Sequence, residues 1–187
     1  MDERLEIRTT FRPGDLGAII AHHGELYSRE YGVDSTFEAH VAAAVSAIGK
    51  LGWPGPREQL RIAELDGRHA GSIALSDERD GWAALRFFVL DAELRGQGLG
   101  RRWVAEVLES AENDGYEGVR LETFSDLRAA AHIYRSHGFE LISAESGPRW
   151  GRASFTYQRY ELSFQSRAQA ASSPSAGSSA RPFSVSA

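Results

Sequence analysis

The sequence predicts an α+β fold in α/β/α layers, a mixed, mainly antiparallel sheet of about seven strands with helices on both faces. Three observations carry that reading. Apolar residues alternate in seven short segments and recur at helical spacing in four others. Two Asp-Gly pairs, Asp66-Gly67 and Asp80-Gly81, join three successive strand-like runs as hairpin turns do. A glycine-rich stretch and an amphipathic segment separate the fourth strand from the fifth, so the element order is βααβββαβαββ.

Each element follows from its own signal. Leu5-Glu6-Ile7 alternates and predicts a short first strand. Arg12-Pro13-Gly14-Asp15 breaks the chain and opens a helix over 14–29, where Leu16, Ile19, Ile20, His23, Leu26 and Tyr27 recur at helical spacing. Asp34-Ser35-Thr36 supplies N-cap candidates for a second helix through Phe37, Val41, Ala44, Val45 and Ile48. The run from Lys50 to Pro56 is a loop by composition. Strands are predicted at 59–65, 69–76 and 82–90. Leu99, Trp103, Val104, Val107, Leu108 and Ala111 mark one face of a third helix, ending near Asn113-Asp114-Gly115. A strand at 118–124, a helix at about 127–137 and strands near 139–145 and 153–163 complete an ordered domain over 1–164. Residues 165–187 hold eight serines and six alanines without apolar periodicity, a composition that predicts a disordered tail with no function visible in sequence.

The 187 residues suit one domain, and 42% apolar with 25% charged residues is globular composition. No apolar run approaches the roughly 18–20 residues needed to span a bilayer, and no apolar leader follows Met1-Asp2-Glu3-Arg4. The expectation is a cytoplasmic protein that spans no membrane. Cysteine is absent, which excludes disulfides, thiolate metal sites and cysteine nucleophiles. The formal charge is −5, and the last 23 residues carry Arg167 and Arg181 without an acid, so the body is more acidic still. That balance argues against a nucleic-acid partner and suits an amine-bearing ligand. The histidine pairs lack His-Glu-x-x-His spacing, so no metal is expected, and no Gly-x-Ser-x-Gly elbow points to a hydrolase.

The most informative segment runs from Phe88 to Arg101, Phe-Val-Leu-Asp-Ala-Glu-Leu-Arg-Gly-Gln-Gly-Leu-Gly-Arg. A strand passes into a glycine-rich loop that opens an amphipathic helix. Glycines keep side chains away from the backbone N–H groups, and those amides with the helix dipole suit a phosphate. Arg95 and Arg101 place positive charge at the two ends. A Walker loop is excluded because no Gly-Lys-Ser/Thr follows, and a dinucleotide fingerprint fails because Arg101 stands where its third glycine belongs.

Arg95-Gly96-Gln97-Gly98-Leu99-Gly100, placed after such a strand, resembles the pyrophosphate loop of the GNAT superfamily of N-acetyltransferases. Ala129-Ala130-Ala131-His132-Ile133-Tyr134, followed by Gly138-Phe139, resembles the superfamily's later helix. The likeness covers about 5–164. It implies acetyl-CoA as co-substrate, held by Phe88, Val89, Leu90, Arg95, Gly96, Gln97, Gly98, Leu99, Gly100 and Arg101, and a sheet that splays between strands four and five. One departure stands out: seven residues before the tyrosine, where the family often has a cofactor-contacting asparagine, this chain has Leu127. The opening segment, Arg12 to Gly17 with His23-Gly24 and Leu26 to Gly32, resembles acetyltransferase domains often fused to MarR-type regulators. No such regulator precedes it in this sequence, so a stand-alone enzyme is the expectation.

The resemblance further implies direct attack of a primary amine, from a small molecule or a peptide, on the thioester. It assigns the thioester oxygen to the Leu90 N–H and the proton for the departing thiolate to Tyr134, which also reads as a core tyrosine on an amphipathic helix. Glu122, twelve residues earlier, is a base candidate at an offset some members use, and equally a solvated strand residue. Glu25, Glu30 or an ordered water are the alternatives. Trp53, Tyr27, Tyr31 and Trp150 suit an acceptor site or ordinary packing. A non-catalytic acyl-CoA sensor on the same fold is the competing function, and a homodimer is compatible with such a chain.

Overall fold

The computed structural model describes residues 5–165. The tail beyond lies outside the described residues. The elements are β1 (Leu5–Arg8), α1 (Asp15–Tyr31), α2 (Ser35–Gly49), β2 (Gln59–Leu65), β3 (Arg68–Asp77), β4 (Trp82–Leu90), α3 (Leu99–Asn113), β5 (Gly118–Phe124), α4 (Arg128–Ser136), β6 (Glu140–Arg149) and β7 (Arg152–Ser163). They form one seven-stranded sheet in the order β1-β2-β3-β4-β5-β7-β6. All neighbours are antiparallel except β4 and β5, whose connection runs through α3. The mixed sheet with helices on both faces is therefore the one predicted.

Two apolar layers hold the helices to the sheet. Below it, Trp103, Val104, Val107 and Leu108 of α3 pack with Ile73, Leu75, Leu85, Val119 and Tyr160. Above it, Ile19 and Leu26 of α1 with Phe37, Val41 and Val45 of α2 cover Leu60, Ile62 and Ala74. Each fully buried aliphatic side chain of this kind contributes about 1.5–3 kcal/mol of transfer free energy. Asp34 caps α2 as expected, its carboxylate accepting from the Thr36 N–H at 2.9 Å. Among the described residues, no helix is long and apolar enough to cross a membrane.

The last hairpin is longer than predicted. The strand expected near 139–145 runs on through Pro148 to Arg149, with Ser146, Gly147 and Arg149 paired to Thr156, Phe155 and Arg152. β6 is an edge strand, where a proline without an N–H costs no ladder bond. The turn that follows carries Trp150 back over α2.

What positions the site is the failure of β4 to stay with β5. Their parallel pairing covers only Trp82–Leu85 against Gly118–Leu121. Beyond Leu85, β4 bulges, with a register shift against β3 between Ser72 and Ala74 and Phe87 at φ +50°. The Ser72 hydroxyl donates to the Phe87 carbonyl at 2.7 Å and secures the bulge. β5 continues beside β7 to Phe124, so a gap opens between the ends of β4 and β5.

Candidate active site

The gap is lined first by backbone. The Asp91 N–H donates to the Ala70 carbonyl of β3 at 2.8 Å. Peptide groups alternate along a strand, so the Leu90 N–H points away from β3, toward the side β5 has vacated. The Leu90 carbonyl faces the same way and accepts from Arg95 Nε at 2.8 Å. After a single 3-10 turn (Ala92–Leu94), the chain enters the glycine loop.

Gly98 is the N-cap of α3 at φ +80°, a conformation L side chains rarely adopt, and no side chain caps the helix. The amides of its first turn are therefore open to an anion. Gly100 serves packing instead. A Cβ there would stand 3.0 Å from the Phe88 ring, so its absence lets α3 lie against β4. Loop, β4 end and the start of α4 enclose a cleft of about 410 Å³, lined by Phe88, Val89, Leu90, Arg95, Gly96, Gly98, Gly100 and Arg101.

Arg95, though exposed, has its guanidinium engaged by another residue of the chain. Its Nη atoms form a two-pronged pair with Glu30 of α1 at 2.8 and 3.0 Å, so its charge is already matched at the loop. Burial pulls its pKa down, but Glu30 outweighs this and raises it. Gln97 donates its amide to the Glu93 carbonyl at 2.7 Å, and Leu99 is buried in the lower core. Neither side chain lines the cleft. Besides this paired arginine, the cleft carries the exposed cations Arg101 and Arg128. Arg128 escaped sequence reading because the first residue of a helix carries no periodic signal.

A second cavity of about 510 Å³ lies on the upper face of the sheet, against α1, α2 and the β6–β7 turn. Tyr27, Phe88 and Leu127 line both spaces, so the two meet where β4 and β5 part. Its floor carries Arg86, Arg120 and Arg159, each facing an acid: Glu78 at 2.5 Å, Glu161 at 3.2 Å and Glu122 at 3.3 Å. Its far wall is aromatic, with Phe37, Trp150 and Tyr157.

The family model described as acetyltransferase (GNAT) family matches residues 19–139, well over half the chain. The chain belongs to the GNAT acetyltransferase family. It is 28% identical over 117 residues to an uncharacterized N-acetyltransferase of Schizosaccharomyces pombe, covering 61% of this chain and 70% of that protein. A GNAT acetyltransferase of Staphylococcus aureus superposes with a TM-score of 0.65 at 16% identity, over 86% of this chain and 99% of the other. The Salmonella typhimurium protein yncA, solved with its cofactor acetyl-CoA, superposes with 0.60 at 20% identity, over 85% and 93%.

Seen as a GNAT acetyltransferase, the chain brings together most of the side chains read from sequence and separates a few. Tyr134 is 4% exposed, among Phe88, Phe139 and Tyr160, and lines the second cavity. Burial pushes its hydroxyl far above the ordinary tyrosine range, so it keeps its proton at neutral pH. Glu122 lines the same cavity, half-exposed. Burial, and then its hydrogen bond to Glu122, holds the Tyr157 hydroxyl protonated as well. Of the alternatives to Glu122, Glu30 is taken by Arg95, and Glu25 lines a separate depression beside His22 and Arg29. Tyr27 and Trp150 reach the second cavity and Tyr31 the cleft, whereas Trp53 is core, its Nε1 donating to the Leu75 carbonyl at 3.0 Å. Leu127, standing where the family often has asparagine, lines both spaces with an apolar side chain.

Proposed function

We propose that this GNAT protein transfers the acetyl group of acetyl-CoA to a primary amine. The observation that carries the proposal is the meeting of two cavities at Phe88, one beside open helix amides and one beside a protonated tyrosine. The residues fit the cofactor: the uncapped start of α3, the side-chain-free Gly98 and the exposed Arg101 and Arg128 together favour a pyrophosphate. Val89 and Leu90 offer strand edge to a pantetheine arm, because β5 no longer pairs with them.

Acetyl-CoA, when bound, supplies the activated thioester. The Leu90 N–H is aimed into the gap and would stabilise negative charge growing on a carbonyl oxygen there. The Tyr134 hydroxyl would give its proton to the leaving sulfur as the C–S bond breaks. Glu122 would draw in the ammonium form of the acceptor and take its proton, releasing the lone pair that forms the C–N bond. The proton shed by the nitrogen and the one lost by Tyr134 balance through solvent, which reaches half-exposed Glu122.

Calorimetric titration with coenzyme A, followed by a panel of primary amines with detection of released thiol, tests this. Binding together with turnover of at least one amine is expected. Binding without turnover of any amine would replace the enzyme with an acyl-CoA sensor, and absence of binding would remove the cleft assignment.

A further inference from the structure

We propose that His23 receives the acceptor: its Nε2 accepts a hydrogen bond from an N–H of the amine and so aims the nitrogen lone pair at the β4 bulge. The inference rests on the reading of the protein as an amine acetyltransferase and adds to it a residue that contacts the nucleophile.

His23 sits in the buried stripe of α1, between Ile19 one turn before and Tyr27 one turn after, and is 5% exposed. Packing alone has no need of an imidazole there. Its Nδ1 lies 2.8 Å from the Ile19 carbonyl oxygen. A carbonyl only accepts, so Nδ1 carries the hydrogen and Nε2 carries the lone pair. The partner is the carbonyl four residues earlier on the same helix, so helix geometry sets the tautomer whether or not a ligand is present.

Among the described residues nothing donates to Nε2, and because the ring lines the second cavity that acceptor is open to a ligand there. The ring lines the second cavity with Phe88 and Tyr134. It stands edge-on to Tyr27 at 5.5 Å and to Phe87, the bulge residue, at 6.2 Å. The acids on the cavity floor each face an arginine, whereas His23 faces the cavity without a protein donor. Burial holds its pKa down to about 4, and His22 and His69 oppose its protonation further. At neutral pH the ring is thus an uncharged acceptor, which welcomes an amine N–H and does not repel a cation.

Side-chain nitrogen NMR of the wild-type protein at pH 7 is the first test. Nδ1 is expected to carry the hydrogen and Nε2 the lone pair; the reverse tautomer or an imidazolium overturns the proposal. Coenzyme A is then added with whichever amine the wild type acetylates best, so that no acetyl group can transfer. The Nε2 resonance is expected to move toward the hydrogen-bonded position, and an unmoved resonance overturns the proposal.

Kinetics supply the second test. His23→Phe keeps an aromatic ring but loses the acceptor, and kcat/KM for the amine is expected to fall about tenfold to a hundredfold with coenzyme A affinity unchanged. His23→Gln, which retains an acceptor oxygen, should recover part of the loss. Wild-type kcat/KM in His23→Phe removes His23 from the site while the acetyltransferase reading stands. A wild type that acetylates no amine removes both.

Discussion

The two cavities that meet at Phe88 are built by different means. Apart from Tyr27 and Tyr31 of α1, the cleft is made from two short stretches of chain, 88–101 and 126–133, and its recognition surface is largely backbone: the Leu90 N–H, the open first turn of α3 and glycines that keep it bare. The second cavity draws side chains from α1, α2, the β3–β4 turn, β4, β5, α4, the β6–β7 turn and β7. Its chemistry is a set of matched charges and aromatic rings whose only common cause is the fold. A site made of backbone tolerates change everywhere except where a Cβ would intrude. One made of distant side chains can be altered a residue at a time.

That contrast predicts which substitutions affect which cavity. The largest effect is expected from Gly98→Asp, which adds a side chain at φ +80° and a negative charge at the helix start. Coenzyme A at about a hundredfold over its dissociation constant is expected to stabilise the wild type by roughly 2.7 kcal/mol. Thermal melts of the variant should show none of that protection; full protection would mean that the loop does not hold the phosphates.

Tyr134→Phe acts on the other cavity. The ring and its packing remain, and a turnover loss on the order of 10²–10⁴-fold is expected, with coenzyme A affinity barely changed. Equal weakening of cofactor binding would erase the division between the two spaces.

A site remote from both calibrates the comparison. Asp15, at the start of α1, forms a buried two-pronged pair with Arg8 at 2.7 and 2.9 Å, and Arg8 also holds Glu64 at 2.7 Å. Burial raises the Asp15 pKa, but Arg8 and the Arg12 N–H outweigh it and the net direction is downward. A lowered folded-state pKa contributes stability that is present above the ordinary carboxylate value and lost as pH falls through the folded one. Asp15→Asn is therefore expected to cost about 2–3 kcal/mol at pH 7, less than a fully orphaned buried charge because Glu64 remains. Denaturant titrations should show the gap from wild type closing in acid, while the relative acceptor preference of the variant stays unaltered.

The smallest effect is expected from Glu122→Gln. The carboxylate is half-exposed and shares Arg159, so water can replace much of its work, and a loss of about tenfold is expected, below the usual range for a buried base. Rate–pH profiles should place that loss at low pH, where the amine is protonated, and show it fading as pH rises. A loss independent of pH would make Glu122 a structural partner of Arg159 and Tyr157.

Legibility in the sequence followed the same divide. Gly98 and Gly100 could be read in one line with the strand before and the helix after, since their roles depend on local backbone conformation and on a neighbour ten or twelve residues away. Tyr134 was legible through its own helix. Arg95 was legible as part of the loop, but not as the partner of Glu30, because α1 and the loop are 65 residues apart in the chain. The hairpin extension through Pro148 was hidden because composition marks a proline as loop while only the sheet order makes β6 an edge.

By itself the sequence determined the element order, the hairpins and the glycine loop, because alternation, helical spacing, Asp-Gly turns and side-chain-free positions act over a few neighbouring residues. The tertiary structure decided that β4 bulges at Phe87 and leaves β5 after Leu85, and that His23, Glu122 and Tyr134 face one space. It also decided that Glu25 and Trp53 do not, and that Arg95 is spent on Glu30. The reason is physical. Where a strand ends its pairing, and which side chain finds which counter-charge, depends on packing between segments whose separation along the chain no local pattern encodes.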